Sequence, residues 1–197
     1  MFINEKIKNL PITPYLEKIC QTLKNSPSRF LVLTAQTAAG KSTAVPLALL
    51  ENFDGKILML EPRRLATVAL AERISSLIGE KTGETVGYTL SLESKISQKT
   101  RFEVITEAIL TRRLQNDPLL EDTNVVVIDE FHERSVHADL ALAFLKEAMS
   151  LRDDLFVIIM SATINSKRIA EFLSQPAAPI MEIPGRLFPV EIIYKDK

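Results

Sequence analysis

At four consecutive positions, Val125-Val126-Val127-Ile128, the chain carries a β-branched apolar side chain. A strand with one face in water alternates apolar and polar residues, so an unbroken run of this kind fits a strand covered on both sides. The pattern recurs along the chain. Short apolar runs at residues 30–34, 56–61, 102–105, 125–129 and 155–161 are each followed by a longer segment of helical periodicity, at residues 41–50, 64–78, about 107–115, 138–150 and 166–173. Doubly covered strands alternating with helices predict an α/β domain, a mainly parallel sheet flanked by helices on both faces. Residues 1–28 read as a leader with one short helix, at residues 14–24, closed by Asn25-Ser26-Pro27-Ser28, after which the core begins. A last pair of short strands is expected at 180–183 and 190–194.

Composition narrows the function classes. With 46% apolar and 25% charged residues and only six glycines in 197, the chain is neither disordered, collagenous nor a disulfide scaffold. Its longest uninterrupted apolar run, residues 155–160, falls far short of the roughly 20 a membrane helix needs. Residues 1–20 are interrupted by Asn4, Glu5, Lys6, Lys8 and Pro11 and lack the apolar centre of a secretion signal. The single cysteine, Cys20, forms no internal disulfide. These features together predict a cytoplasmic protein with no membrane partner. Net charge is −1, with thirteen Lys/Arg against nine Asp/Glu in residues 1–100 and eleven against sixteen thereafter. A broad basic face for nucleic acid is excluded, so any such contact must be local.

In doubly wound sheets ligands sit outside the carboxyl ends of the strands, and the residues there carry the chemistry. The first strand leads into Ala35-Gln36-Thr37-Ala38-Ala39-Gly40-Lys41-Ser42-Thr43. This fits the phosphate-loop pattern except that its first glycine is Ala35. Backbone N–H groups of the loop and the positive end of the next helix suit phosphate, Lys41 suits its outer oxygens, and Ser42 suits Mg²⁺. The run at 125–128 leads into Asp129-Glu130-Phe131-His132. An aspartate there is placed to hold Mg²⁺ through water, and Glu130 to orient or deprotonate an attacking water. A zinc reading of His132, Glu133 and His137 fails on spacing, because the position four after His132 is Val136. Serine hydrolysis at Ser161 fails for want of a nucleophile elbow. Arg63-Arg64 and Arg112-Arg113 complete the rim as arginine pairs able to grip phosphate oxygens.

Taken in order, Ala35 to Thr43, Glu61-Pro62-Arg63-Arg64-Leu65-Ala66, Thr106-Glu107-Ala108-Ile109-Leu110, Asp129-Glu130-Phe131-His132-Glu133-Arg134-Ser135 and Ser161-Ala162-Thr163 resemble motifs I, Ia, Ib, II and III of the DEAH-box helicases, and look most like the bacterial HrpB-like branch. The resemblance spans nearly the whole chain. It implies that residues 29–197 are the first RecA-like domain of an ATP-dependent RNA helicase, with ATP and Mg²⁺ as its nucleotide and metal. It implies that Thr37, Ala38, Ala39, Gly40, Lys41, Ser42 and Thr43 bind the nucleotide, with Arg73 stacking on the base. By the same resemblance Ser42, Asp129 (through water) and Glu130 serve the metal, and Lys41, Asp129, Glu130 and His132 the catalysis. Ser161, Ala162 and Thr163 would couple nucleotide state to strand movement, while Arg63, Arg64, Thr106 and Glu107 would grip the backbone of RNA or DNA.

The same resemblance implies an ATP site completed by arginines of a second RecA-like domain, absent from these 197 residues, so that little unwinding is expected from this chain alone; a monomer is the default expectation, which no sequence feature decides. Departures fall at Ala38 and Ala108, where the family usually has glycine, and at Ser91, where it usually has an arginine that reaches nucleic acid. Ala38 and Ser91 open a second reading, a nucleotide-gated nucleic-acid-binding adaptor with degenerate turnover. A small-molecule kinase is a weaker third, since it leaves motifs Ia and Ib unexplained.

Overall fold

The computed structural model describes residues 7–36, 38–162 and 165–184. Its strands are β1 (Phe30–Ala35), β2 (Lys56–Leu60), β3 (Val86–Thr89), β4 (Ser94–Lys95), β5 (Phe102–Ile105), β6 (Thr123–Ile128), β7 (Phe156–Ser161) and β8 (Ile180–Ile183). The helices are α1 (Leu16–Asn25), α2 (Lys41–Asn52), α3 (Arg64–Ile78), α4 (Glu107–Asn116), α5 (Val136–Leu151) and α6 (Ser166–Leu173), with 3₁₀ turns at Thr13–Tyr15 and Phe131–Glu133. The sheet runs β4-β3-β5-β2-β6-β7-β1-β8 and is parallel throughout except at the β3/β4 edge.

Strand side chains alternate between the faces, and the burial follows that alternation. Leu31, Leu33, Ile57, Met59, Val125, Val127, Ile158 and Met160 pack with apolar residues of α1, α2 and α3. Their neighbours Phe30, Val32, Leu58, Leu60, Val126, Ile128, Val157 and Ile159 pack with those of α4, α5 and α6. An apolar residue at every strand position is what this two-sided core requires. No helix among the described residues is long and apolar enough to cross a membrane.

Two expectations need correcting. The sequence reading set no strands between α3 and β5, yet β3 and β4 form a hairpin there. Gly87 permits it, because a Cβ at this position would lie 2.3 Å from the Lys95 carbonyl oxygen across the pair. Nor does the core begin after the leader. Ile7, Ile12, Leu16, Ile19, Cys20 and Leu23 are fully buried in the α1–α3 core, and burial pushes the Cys20 thiol up to about 11. The expected strand at 190–194 lies outside the described residues.

Candidate nucleotide and nucleic-acid site

The carboxyl ends of β1 and β6 open on the same edge of the sheet with β7 between them. Gly40, at φ 89°, turns the chain from the loop after β1 into α2, a conformation in which glycine escapes the penalty of a Cβ. Ala38 is also left-handed, at φ 63°, where an L side chain costs about 1–2 kcal/mol. The concern raised by alanine at this position is therefore real in the backbone. Lys41 is buried, and its Nζ donates to the carbonyls of Ala35 at 2.5 Å and Gln36 at 3.2 Å. Burial lowers its pKa, opposed by the negative charges of Asp129 and Glu130.

The start of α2 reaches the end of β6. Ser42 Oγ donates to Asp129 Oδ2 at 2.5 Å, and the Glu130 amide donates to Oδ1 at 2.8 Å. Asp129 is only 1% exposed, and burial raises its carboxyl to about 6 against those two hydrogen bonds. A hydroxyl beside a carboxylate is a donor set that fits Mg²⁺, which takes oxygen ligands and keeps most of its waters. No cluster of three or more His, Cys, Asp or Glu able to hold a metal occurs among the described residues.

The turn after Asp129 is left-handed at Glu130 (φ 50°) and again at Arg134 (φ 51°). His132 Nδ1 lies 3.2 Å from Glu130 Oε2, yet it makes no hydrogen bond among the described residues, because distance alone does not make one. Ser161 Oγ, buried at the end of β7, likewise has no hydrogen-bond partner there. Ala162 follows it half-buried, while Thr163 and Thr37 lie outside the described residues. His137 is exposed.

Along the rim, Arg63 pairs with Glu133 at 2.5 Å, and Glu107 accepts from Ser135 Oγ at 2.6 Å. The candidate nucleic-acid residues of two strand ends are thus tied to the turn that follows Asp129. Arg64 is exposed, Thr106 is buried at the start of α4, and Arg73 lies exposed on α3. Arg113 does not belong to the rim. Its guanidinium forks onto the buried Glu103 at 2.5 and 3.0 Å.

Sequence reasoning missed Glu61. It is buried at the end of β2, accepts the Arg63 amide at 3.1 Å, and is raised to about 7 by burial, with the charges of Asp129, Glu130 and Glu133 adding to the effect. The signal was available, since Glu61 directly follows a fully apolar run, as Asp129 does.

The sequence profile of the DEAD/DEAH box helicase family matches residues 13–172. The chain is 46% identical over 191 residues to the ATP-dependent RNA helicase HrpB of Escherichia coli K12, covering 95% of this chain and 23% of that protein. It is 38% identical over 186 residues to the probable ATP-dependent RNA helicase DHX34 of Homo sapiens, covering 94% and 16%. The crystal structure of the Escherichia coli DEAH/RHA helicase HrpB superposes with a TM-score of 0.86 over 93% of this chain and 23% of that one, at 46% identity. The chain therefore spans about a quarter or less of the length of these relatives. Its motifs, its sheet order and these likenesses agree that the chain belongs to the DEAD/DEAH box helicase family.

Proposed function

We propose that this chain is the first ATP-binding motor domain of an ATP-dependent RNA helicase, in which nucleotide hydrolysis drives translocation and unwinding by the whole protein. The observation that carries the reading is the 2.5 Å contact of Ser42 with the buried Asp129, which joins the phosphate-loop helix to a carboxylate on another strand. In this reading the amides of residues 38–43 hold the phosphates, and Lys41 leaves the carbonyls of Ala35 and Gln36 to meet them. Ser42 and Asp129 hold Mg²⁺, which supplies charge neutralisation when bound. Glu130 orients and deprotonates the attacking water, beside His132. Arg73 stacks on the base, Ser161, Ala162 and Thr163 transmit the nucleotide state, and Arg63, Arg64, Thr106 and Glu107 face the backbone of RNA or, alternatively, DNA. A second RecA-like domain supplies the arginines that speed hydrolysis, so this chain alone turns over slowly. A monomeric, cytoplasmic, bacterial setting completes the reading, in keeping with a single buried cysteine and the HrpB-like motifs.

The left-handed Ala38 favours one alternative, an adaptor that binds nucleotide without turning it over. Calorimetric titration with Mg²⁺-ADP tests the site. The wild-type chain is expected to bind and Lys41→Ala to bind about 10–100-fold more weakly, the value of one hydrogen bond to a charged group. No heat at about 1 mM nucleotide, some 4 kcal/mol of affinity, would sink the reading. In the longer protein, RNA-stimulated ATPase that Glu130→Gln abolishes supports the motor, and its absence in the wild type supports the adaptor.

A further inference from the structure

The phosphate loop is braced from behind by a segment that carries none of its motifs. Residues 7–13 form a compact turn, in which the Leu10 amide donates to Ile7 O at 3.1 Å, the Thr13 amide to Leu10 O at 3.0 Å, and the Thr13 hydroxyl to Ile7 O. Ile7 and Ile12 anchor this turn, both at 0% exposure in the α1–α3 core. From that anchor it makes two contacts with the loop. The Ile12 amide donates to the Ala39 carbonyl at 3.2 Å, and Leu10 covers Gly40 so closely that a Cβ there would sit 2.7 Å from Leu10 Cδ1 and 3.1 Å from its Cβ.

The loop has particular need of such a brace in this chain. Both Ala38 and Gly40 are left-handed, and only one of them is glycine. A strained backbone of this kind persists where its surroundings over-determine it. The Ala39 carbonyl, between the two left-handed residues, and the Cα of Gly40, one of the two, are the points the leader holds.

We propose that Leu10 and Ile12 are positioning residues of the nucleotide site: they fix Ala39 and Gly40 so that the amides leading into α2 face the phosphates, and so keep Ala38 in its left-handed conformation. This rests on the reading of residues 38–43 as a nucleotide site. The leader is then part of the site's support rather than an appendage, and Leu10 compensates for the alanine at position 38. Loop order should therefore depend on Leu10 most strongly when residue 38 is alanine.

The test combines amide hydrogen exchange, which needs no ligand, with Mg²⁺-ADP titration, on the wild-type chain, Leu10→Ala, Leu10→Met, Ala38→Gly and the double variant Leu10→Ala/Ala38→Gly. In Leu10→Ala, exchange at residues 38–43 is expected to quicken while β1, β6 and β7 stay protected. Mg²⁺-ADP should bind about tenfold more weakly, as a loop held only part of the time requires. Leu10→Met, which keeps the cover, should restore both within about twofold, and Ala38→Gly should recover more affinity in the Leu10→Ala background than in the wild type. Faster exchange across the whole sheet, with affinity tracking only the folded fraction, would overturn the proposal by making Leu10 ordinary core packing. Unchanged exchange and affinity would overturn it as well. If the wild-type chain binds no Mg²⁺-ADP, the nucleotide reading fails separately, and exchange at 38–43 still decides whether Leu10 holds the loop.

Discussion

Asp129 and Glu103 are almost equally removed from water, at 1% and 0% exposure, yet their acidities move in opposite directions. Burial raises Asp129 to about 6, and the hydrogen bonds from Ser42 and the Glu130 amide only moderate it. Burial acts on Glu103 in the same sense, but it is outweighed by the forked Arg113, by Thr89 Oγ1 at 2.5 Å and by Lys56 Nζ at 3.2 Å, so its pKa is lowered. Glu103 sits on β5 toward the sheet edge, where the chain supplies a full set of partners. Asp129 sits at the strand end facing the phosphate loop, where it has a hydroxyl and an amide, while the nearby Lys41 spends its hydrogen bonds on backbone carbonyls. A buried charge satisfied by the protein belongs to the architecture. One whose direct partners are neutral is suited to a cation from outside.

The largest expected effect separates the two carboxylates directly. Glu103→Gln leaves Arg113 and Lys56 facing a neutral amide in the interior and should cost about 3–5 kcal/mol in urea unfolding. Asp129→Asn should not lower stability at pH 7 and should raise it by a few kcal/mol at most, since a neutral isostere retains both hydrogen-bond partners and removes a carboxyl that burial raises to about 6, while Mg²⁺-ADP binding is lost. Equal losses of stability would break the comparison.

A second effect is on pH dependence. A metal needs the ionised carboxylate, and Asp129 ionises near pH 6. Mg²⁺-ADP affinity should therefore rise from pH 5 to pH 7, by up to about tenfold per unit below pH 6, and then level off. A flat titration profile would detach the site from Asp129.

Glu61 sharpens the contrast from a third position. Its carboxyl is raised to about 7. Between its unfolded value and pH 7 the folded state keeps a proton that the unfolded state has released, so its contribution to stability falls as pH rises through that window. Glu61→Gln removes this dependence. The variant should gain on the wild type between pH 5 and pH 8, by a few kcal/mol at most, in thermal unfolding followed across that range. The smallest effect belongs to the Arg63–Glu133 pair. With the Arg63 side chain 73% exposed, Arg63→Gln should cost less than about 1 kcal/mol of stability.

Much of this was legible in the sequence because strands covered on both faces must be apolar at every position, and that pattern exposed the central strands together with the polar residues that end them. Lys41, Ser42 and Asp129 could be placed at one sheet edge on those grounds, and the structure joins the last two by a hydrogen bond. The β3/β4 hairpin escaped because it is short, contains Gly87, and presents two exposed residues in β4. The leader's packing escaped because Ile7, Leu10 and Ile12 are too few to show a period. Arg113 was misplaced because an arginine pair says nothing of a carboxylate ten residues earlier in a neighbouring strand. Glu61 was overshadowed by the arginines beside it.

The sheet order also sets a timetable. β2 finds its partners β5 and β6 within about seventy residues, but β1 lies between β7 and β8, and Phe30 pairs with Val157. At 5–20 residues per second of synthesis, the strand that carries the phosphate loop waits about 6–25 s for its neighbour to be made. The proposed phosphate loop is made well before the strands that fix it in place, so in this reading the nucleotide has no finished site on a nascent chain until β7 and β8 have left the ribosome.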